Sequence, residues 1–118
     1  MKERWQQHEA HVCEVLEVEP TLASGSQWHD TGDGVTRNAY SLWPIWFDAK
    51  CTVQRGYHIQ RGSLKTMWDR ATAAGKKFLL PLRFVDDHGQ HQDYVVMPLD
   101  DYAELLATAR AYWNEHEG

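Results

Sequence analysis

The stretch SGSQWHDTGDGVTRNAYSLWPIWFDAKCT, residues 24–52, is the part of the chain from which the fold is predicted. Its last third, Leu42 to Thr52, is rich in Trp, Ile and Phe, which is typical of a buried strand. Because side chains alternate across a strand, Asp48 and Lys50 are expected to point to the same face. The neighbouring segment carries Asp33 in a turn bracketed by glycines. We therefore expect two carboxylates and one ammonium group to meet beside the sheet.

Oxygen ligands in this arrangement suit a divalent cation. Mg²⁺ is usually held by one or two carboxylates together with phosphate and water. Two structural explanations stay open from the residues alone. Asp33 followed by Gly34 is among the commonest hairpin-turn dipeptides. A pair between Asp48 and Lys50 on an exposed strand is also frequent, and such pairs contribute about 0–1 kcal/mol.

Composition predicts one folded domain that spans residues 1–118. An apolar fraction of 42% with six Trp is enough for a proper core. No apolar run approaches the length of a membrane span, and the charged start of the chain lacks the apolar segment of a signal peptide. Cys13 and Cys51 lie far apart and form no metal-type pair, so we expect a reduced, cytoplasmic protein without a membrane partner.

The charge of the chain is unevenly distributed. The net charge is −5, which by itself disfavours a nucleic-acid partner. Residues 33–85, however, carry nine basic and three acidic side chains, a net +6, whereas residues 86–118 carry one basic and eight acidic side chains, a net −7. A local positive patch can bind a phosphate backbone because salt screens distant charges within roughly 10 Å. A mixed-charge helix surface explains the same distribution equally well.

A helix is predicted from Lys2 to Leu16, with Glu9 on its apolar stripe. A carboxylate on an apolar face is costly without a partner. Glu9 therefore reaches the metal site, lies at the edge of the stripe and extends into water, or pairs with a neighbouring basic residue. His8 and His11 are interpreted as ordinary surface residues, since no third metal ligand is in view. The other members of the stripe are Trp5, Val12 and Leu16.

The rest of the chain predicts the element order α-β-β-β-α-β-β-α, a mixed sheet with helices on its faces. Pro44 and Pro81 lack an amide donor, so Pro44 is expected at an edge, a bulge or a strand start, and Pro81 at an edge or a bulge. Ser63 is the expected N-cap of the second helix. The predicted elements after the N-terminal helix are an extended segment at 21–26, strands at 35–40 and 42–52, a helix at 64–74, strands at 78–85 and 92–97 joined by a hairpin turn at 86–89, and a final helix at 102–113.

Several short motifs occur in an order that resembles a known nuclease superfamily. They are S-G-S at 24–26, G-D at 32–33, D-A-K at 48–50 and G-K-K-F-L-L-P-L-R-F at 75–84. The pattern resembles the PD-(D/E)xK superfamily, most closely its small archaeal and phage-type Holliday junction resolvases. Gly32 stands where a proline is usual, and Asp48 stands where many members have the longer glutamate. The resemblance implies an α/β fold with a restriction-endonuclease-like core.

The resemblance also implies an activity and a site. The activity is metal-dependent, structure-specific cleavage of four-way (Holliday) DNA junctions by a homodimer, with Mg²⁺ as the cofactor and Mn²⁺ as its substitute. Glu9, Asp33 and Asp48 would hold the metal, and Lys50 would position the nucleophile and stabilise developing charge. Ser26 would approach the scissile phosphate, with Ser24 nearly as good a choice. A phage origin, and hence the cytoplasm of a host cell, is suggested in the same way.

The basic and polar side chains around this site are expected to contact branched DNA, although a solvated basic surface explains several of them. Two competing functions remain. One is another nicking or repair nuclease of the superfamily, and the other is a non-catalytic DNA-binding protein that keeps the fold. The expected DNA contacts are Arg37, Gln54, Arg55, His58, Arg61, Lys65, Lys76 and Lys77.

Overall fold

The computed structural model describes residues 3–20, 34–36 and 43–117, and it confirms an α/β fold with a mixed sheet flanked by helices. None of the described helices has the length and apolarity that crossing a bilayer requires. The helices are α1 (Arg4–Leu16), α2 (Arg61–Ala73) and α3 (Leu99–Glu117). The strands are β1 (Glu19–Pro20), β2 (Gly34–Val35), β3 (Ile45–Phe47), β4 (Lys50–Thr52), β5 (Lys77–Val85) and β6 (His91–Val96).

Strand β5 is the centre of the sheet. On one side it runs parallel to β3 along its first part and parallel to β4 along its last part. On the other side it is antiparallel to β6. Strands β1, β2 and β3 form an antiparallel series, so the sheet is mixed. The predicted strand 42–52 is therefore two short strands, and the described order has one strand more than expected.

The break between β3 and β4 explains how Pro81 is accommodated in a central strand, where the sequence predicts an edge or a bulge. The carbonyl of Leu79 accepts a hydrogen bond from the Asp48 amide at 3.2 Å. Backbone groups two residues apart face the same side of a strand, so Pro81 also faces the β3–β4 side. The missing amide of Pro81 thus falls at the interruption, and its carbonyl lies 3.2 Å from the His8 side-chain Nε2.

The two faces of the sheet carry separate cores, which is why β5 is an almost continuous apolar run. Helix α2 covers one face and α1 covers the other. Alternate side chains of β5 point to opposite faces, so one set packs on the α2 side and the other on the α1 side. The buried core on the α2 face consists of Val35, Trp46, Met67, Ala71, Phe78, Leu80 and Leu82, and that on the α1 face consists of Val12, Phe47 and Leu79.

Helix α2 begins three residues earlier than the sequence predicts. Gln60, in an extended conformation, is the N-cap, and its carbonyl accepts a hydrogen bond from the Leu64 amide at 3.1 Å. Ser63 therefore lies inside the first turn and is not the cap. Trp68 on this helix is 44% exposed, and the Lys65 ammonium lies 5.5 Å from the centre of its ring.

The turn between β5 and β6 is confirmed as a hairpin. The Asp86 carboxylate accepts hydrogen bonds from the amides of His88 at 2.9 Å and Gln90 at 3.0 Å. Gly89 has φ 79°, a left-handed conformation that glycine adopts without strain. Gly75, with φ 72°, fits the expected position just beyond α2 for the same reason.

Gly34 is fixed by packing. It lies in β2 opposite Phe47, and a Cβ added at Gly34 would overlap the Phe47 ring. Phe47 is fully buried between β2 and α1, so its ring has little room to move. Any side chain at this position would therefore have to displace the core of the α1 face.

We expect Gly34→Ala to lower the free energy of unfolding by about 1–3 kcal/mol because of this overlap. Gly62→Ala is the matched control, since a Cβ there meets nothing within 4 Å and alanine is favoured in a helix. Urea unfolding of both variants measures the difference. Equal stability of Gly34→Ala and the unchanged protein would contradict this packing.

Candidate functional site

Asp48 and Lys50 meet, although Asp48 lies between β3 and β4 and not within one continuous strand. The Lys50 ammonium lies 3.2 Å from the Asp48 carboxylate, and both side chains are partly exposed. Asp48 follows the end of β3, whereas Lys50 begins β4 and is paired in register with Leu82. Because Leu82 packs in the core on the α2 side, Lys50 projects to that face of the sheet.

Asp33 lies outside the described residues, but the residue that follows it is well placed. Gly34, next after Asp33 in the chain, pairs with Phe47, next before Asp48. Gly34 is part of strand β2 and is paired on both sides, with Pro20 in β1 and with Phe47 in β3. It is therefore a strand residue and not the tip of a tight hairpin turn.

Glu9 approaches from the other side of the sheet. It is partly buried on α1, and α1 covers the face that carries Leu79 and Arg83. Lys50 projects to the opposite face, so a site shared with Glu9 requires Glu9 to reach around β4, which α1 contacts. Within residues 3–20, 34–36 and 43–117, no three His, Cys, Asp or Glu side chains are grouped closely enough to hold a metal ion.

The expected DNA contacts divide by their surroundings. Lys65 forms an ion pair with Asp69 at 2.9 Å on the exposed side of α2. Lys77 lies 3.3 Å from Glu104 and 3.6 Å from Asp101, and the Glu104 carboxylate raises the pKa of Lys77 above its usual range. Both charges are thus largely compensated within the chain, which reduces their capacity to bind phosphate.

Gln54 and Arg55 lie on an open groove of about 640 Å³ beside the β5–β6 hairpin. The same groove contains the acidic side chains of Asp86 and Asp87, so its charge is mixed. The remaining expected contacts are His58 and Arg61, which are exposed, and Lys76, which is partly buried. Arg37, Ser24 and Ser26 lie outside the described residues.

Sequence reasoning missed a polar cluster on the α1 face. His8, interpreted as a surface residue, is 1% exposed. Arg83 is also buried, and its Nε and second terminal nitrogen donate to the two Asp93 carboxylate oxygens at 2.7 and 2.8 Å. His11 and His91 lie 3.8 and 3.5 Å from the same carboxylate. Two features of the sequence indicate this cluster. His8 lies four residues before Val12 on the same side of α1, and Arg83 occurs within an apolar strand.

The polar groups of this cluster mainly stabilise the fold. Burial lowers the pKa of His8, while its hydrogen bond to the Pro81 carbonyl opposes that shift. Since a carbonyl only accepts, His8 carries its proton on Nε2, and its Nδ1 has no partner in the described part of the chain. The hydrogen bonds from Arg83 lower the pKa of Asp93, which keeps that carboxylate ionised and occupied.

Comparison with known proteins does not assign the chain to a family. No protein-family model matches the sequence, and no curated protein shows significant similarity to it. The arrangement around Asp48 and Lys50 is therefore interpreted from its own chemistry and from the resemblance described above.

We expect stability to fall at mildly acidic pH because of His8. Its pKa is lowered from 6.5 in the folded chain, so below about pH 6.5 the unfolded chain binds a proton that the folded chain does not. The free energy of unfolding should then decrease as the pH falls, by at most about 1.4 kcal/mol per pH unit. Urea unfolding between about pH 7.5 and 5.5 measures the slope. The account requires His8→Gln to have a shallower slope, and equal slopes would contradict it.

We expect Asp93→Asn to destabilise the fold by about 2–3 kcal/mol, because it leaves the buried Arg83 without its ionic partner. Asp69→Asn, which makes the same chemical change in the exposed Lys65 pair, should cost at most about 0.5 kcal/mol. Thermal or urea unfolding near neutral pH compares the two variants. If they were equally stable, the Arg83–Asp93 pair would not be an important contact.

Proposed function

We propose that the protein is a Mg²⁺-dependent endodeoxyribonuclease that hydrolyses phosphodiesters in branched DNA, and most specifically in four-way junctions. Mn²⁺ is proposed to replace Mg²⁺. Cation binding is assigned to Glu9, Asp33 and Asp48. Lys50 is assigned the positioning of the attacking water, and Ser26 the approach to the scissile phosphate.

The contact between Asp48 and Lys50 is the observation that carries this proposal. The two side chains lie 3.2 Å apart at the break between β3 and β4, where Asp48 is free of the regular pairing of a strand interior. Both are partly exposed, so a substrate can reach them. A carboxylate beside an ammonium at an accessible position is the minimum that metal-assisted hydrolysis requires of this motif.

The register of β2 supports the assignment of Asp33. Residues that are directly opposite in an antiparallel pair have their Cβ atoms about 4.5–5.5 Å apart and share a face. Gly34 and Phe47, the chain neighbours of positions 33 and 48, form such a pair. On this basis the carboxylates of Asp33 and Asp48 are assigned to one divalent cation.

The order of the elements is also compatible with the restriction-endonuclease-like core that the resemblance implies. Helix α1 is followed by three antiparallel strands, then by β4, α2 and β5, and β5 is parallel to both β3 and β4. The sheet thus carries Asp48 and Lys50 at an interruption of its β3–β4 side. This agreement concerns the arrangement of the chain and supports the chemistry only indirectly.

The residues have distinct roles in the proposed reaction. A divalent cation would supply stabilisation of phosphate charge and would favour ionisation of a water molecule. Glu9, Asp33 and Asp48 would hold it. Lys50, anchored by Asp48, donates toward the attacking oxygen or toward the charge that develops on the phosphate. Two symmetric cuts in a junction require two such sites related by a two-fold axis, which a homodimer supplies.

A non-catalytic DNA-binding protein is the second candidate, and one observation favours it. Lys50 projects to the α2 face, whereas Glu9 extends from α1 on the opposite face. If Glu9 does not reach the cation, the Asp48–Lys50 pair is an ordinary ion pair and Arg55 and Arg61 provide the DNA contacts. Binding without cleavage would be the outcome of that arrangement.

We expect cleavage of a synthetic four-way junction that depends on Mg²⁺ or Mn²⁺ and is faster than cleavage of linear duplex of the same sequence. Asp33→Asn, Asp48→Asn and Lys50→Ala should each lower the rate by about 100-fold or more. Asp100→Asn, an exposed change at the start of α3, is the matched control and should cleave normally. Gel analysis of labelled junctions measures the rates, and calorimetry of Mg²⁺ binding tests the aspartates independently.

The outcomes separate the candidates. Equal cleavage of junction and duplex would indicate another nuclease of the same chemistry. Junction binding without cleavage, unchanged in Asp48→Asn and Lys50→Ala, would contradict the catalytic proposal and support the DNA-binding protein.

A further inference from the structure

Helix α3 is attached to the rest of the fold mainly at its beginning. It contains 19 residues and is therefore about 28 Å long. Lys77, at the start of β5, holds its first two turns through Asp101 and Glu104. Beyond these turns its contacts with other described elements are sparse. Isolated helices are marginally stable in water, so a helix of this length normally gains its stability from packing.

One side of α3 is apolar and faces water. Tyr102, Tyr112 and Trp113 are 49%, 58% and 53% exposed. The positions of this side recur at intervals of three and four residues, which places them in one band along the helix. No Asp, Glu, Lys or Arg occurs in the band. We call it the α3 stripe, and it consists of Tyr102, Leu105, Leu106, Ala109, Tyr112 and Trp113.

The ion pairs with Lys77 hold the helix by the side that borders the stripe. At 100° per residue, Glu104 lies about 200° and Asp101 about 260° around the helix from Tyr102, next to Leu105 at about 300°. The contact with the sheet therefore leaves Tyr102 and Trp113 on the side turned away from Lys77. Leu105, at the edge near Lys77, also lines a neighbouring groove.

That groove lies between α1 and β6 and has a volume of about 450 Å³. Its walls are mostly apolar, and Val15 and Val95 on its two sides are more than half exposed. Because Leu105 belongs to both, the groove and the α3 stripe form one continuous surface. The groove residues that matter here are Val15, Leu16, Trp43, Val95, Met97 and Leu105.

We infer that a second copy of this chain covers this surface, with the α3 stripes of the two copies packed against each other about a two-fold axis. The exposed area is of the size that a dimer needs. Burying an aromatic side chain fully removes about 150–250 Å², and an aliphatic one about 60–120 Å². The half-exposed rings and aliphatic groups of the stripe and groove therefore amount to roughly 650 Å² per copy, close to the roughly 800 Å² that each partner contributes in stable complexes.

Charge favours a second copy over a membrane as the occupant. In a two-fold contact the same surface faces itself, so a charged stripe would repel its own copy, and the α3 stripe carries no charge. Helices that lie on membranes are rich in Lys and Arg on the polar side. The polar side of α3 is acidic instead, with Asp100, Glu104 and Glu115 against Arg110.

The use of this contact to pair two cutting sites rests on the proposed function, whereas the contact itself rests on packing alone. Failure of one does not imply failure of the other. A dimer that does not cleave junctions would overturn the nuclease proposal and leave the α3 contact intact. A monomer that cleaves junctions would overturn the α3 contact and leave the nuclease proposal intact.

The test compares two identical changes on opposite sides of α3. Ala109 lies in the stripe, whereas Ala111 is about 200° away on the polar side. We expect sedimentation equilibrium to give the mass of two 13.7 kDa chains for the unchanged protein and for Ala111→Glu. Ala109→Glu should weaken association by about 100-fold or more, because it places two carboxylates in the centre of the contact. Circular dichroism should show the same helix content in both variants.

Two results would contradict the inference. A single-chain mass for the unchanged protein up to about 100 µM, a concentration at which a specific dimer would form, would overturn the inference. So would equal association of Ala109→Glu and Ala111→Glu. Trp113→Ala provides a second check without added charge, and it too should weaken association while Ala111→Glu does not.

Discussion

The hydrogen bond from the Asp48 amide to the Leu79 carbonyl marks the point on which this structure depends. It lies where β3 ends, and β4 begins only two residues later, so β5 has an interrupted neighbour on that side. The interruption lets Pro81, which has no amide donor, occupy a central strand without leaving a carbonyl acceptor of a partner strand unpaired. It also releases Asp48 from a regular strand and leaves its carboxylate beside the Lys50 ammonium. The backbone irregularity and the contact between Asp48 and Lys50 therefore share one cause.

The two faces of the sheet carry different polar groups. The α1 face contains a polar cluster in which Arg83 is held by Asp93 and His8 is bonded to the Pro81 carbonyl. Its groups are largely occupied, so they stabilise the fold more than they offer reactivity. The α2 face carries Lys50 at a partly exposed position. The Arg83–Asp93 pair and Lys50 thus lie on opposite faces of the sheet.

Much of the fold could be predicted from local patterns, because hairpin and strand signals are local. The Asp86–Gly89 turn, the run that forms β5 and the shared face of Asp48 and Lys50 follow from turn chemistry and alternation. The burial of His8 could not be predicted, since its partner, Pro81, lies 73 residues away. The break between β3 and β4 could not be predicted either, because it depends on pairing with β5. Whether the carboxylates of the site converge depends on such long-range contacts, and no local pattern encodes them.

The central claim is that positions 33 and 48 share one cation beside Lys50. Paramagnetic broadening of backbone amide signals by substoichiometric Mn²⁺ tests this directly, since the effect falls steeply with distance from the ion. The account predicts that the amides of Gly34, Ala49 and Lys50 broaden together and before that of His91, and that Asp48→Asn abolishes the effect. Broadening confined to the acidic Asp86–Asp87 turn, or spread evenly over the chain, would contradict it.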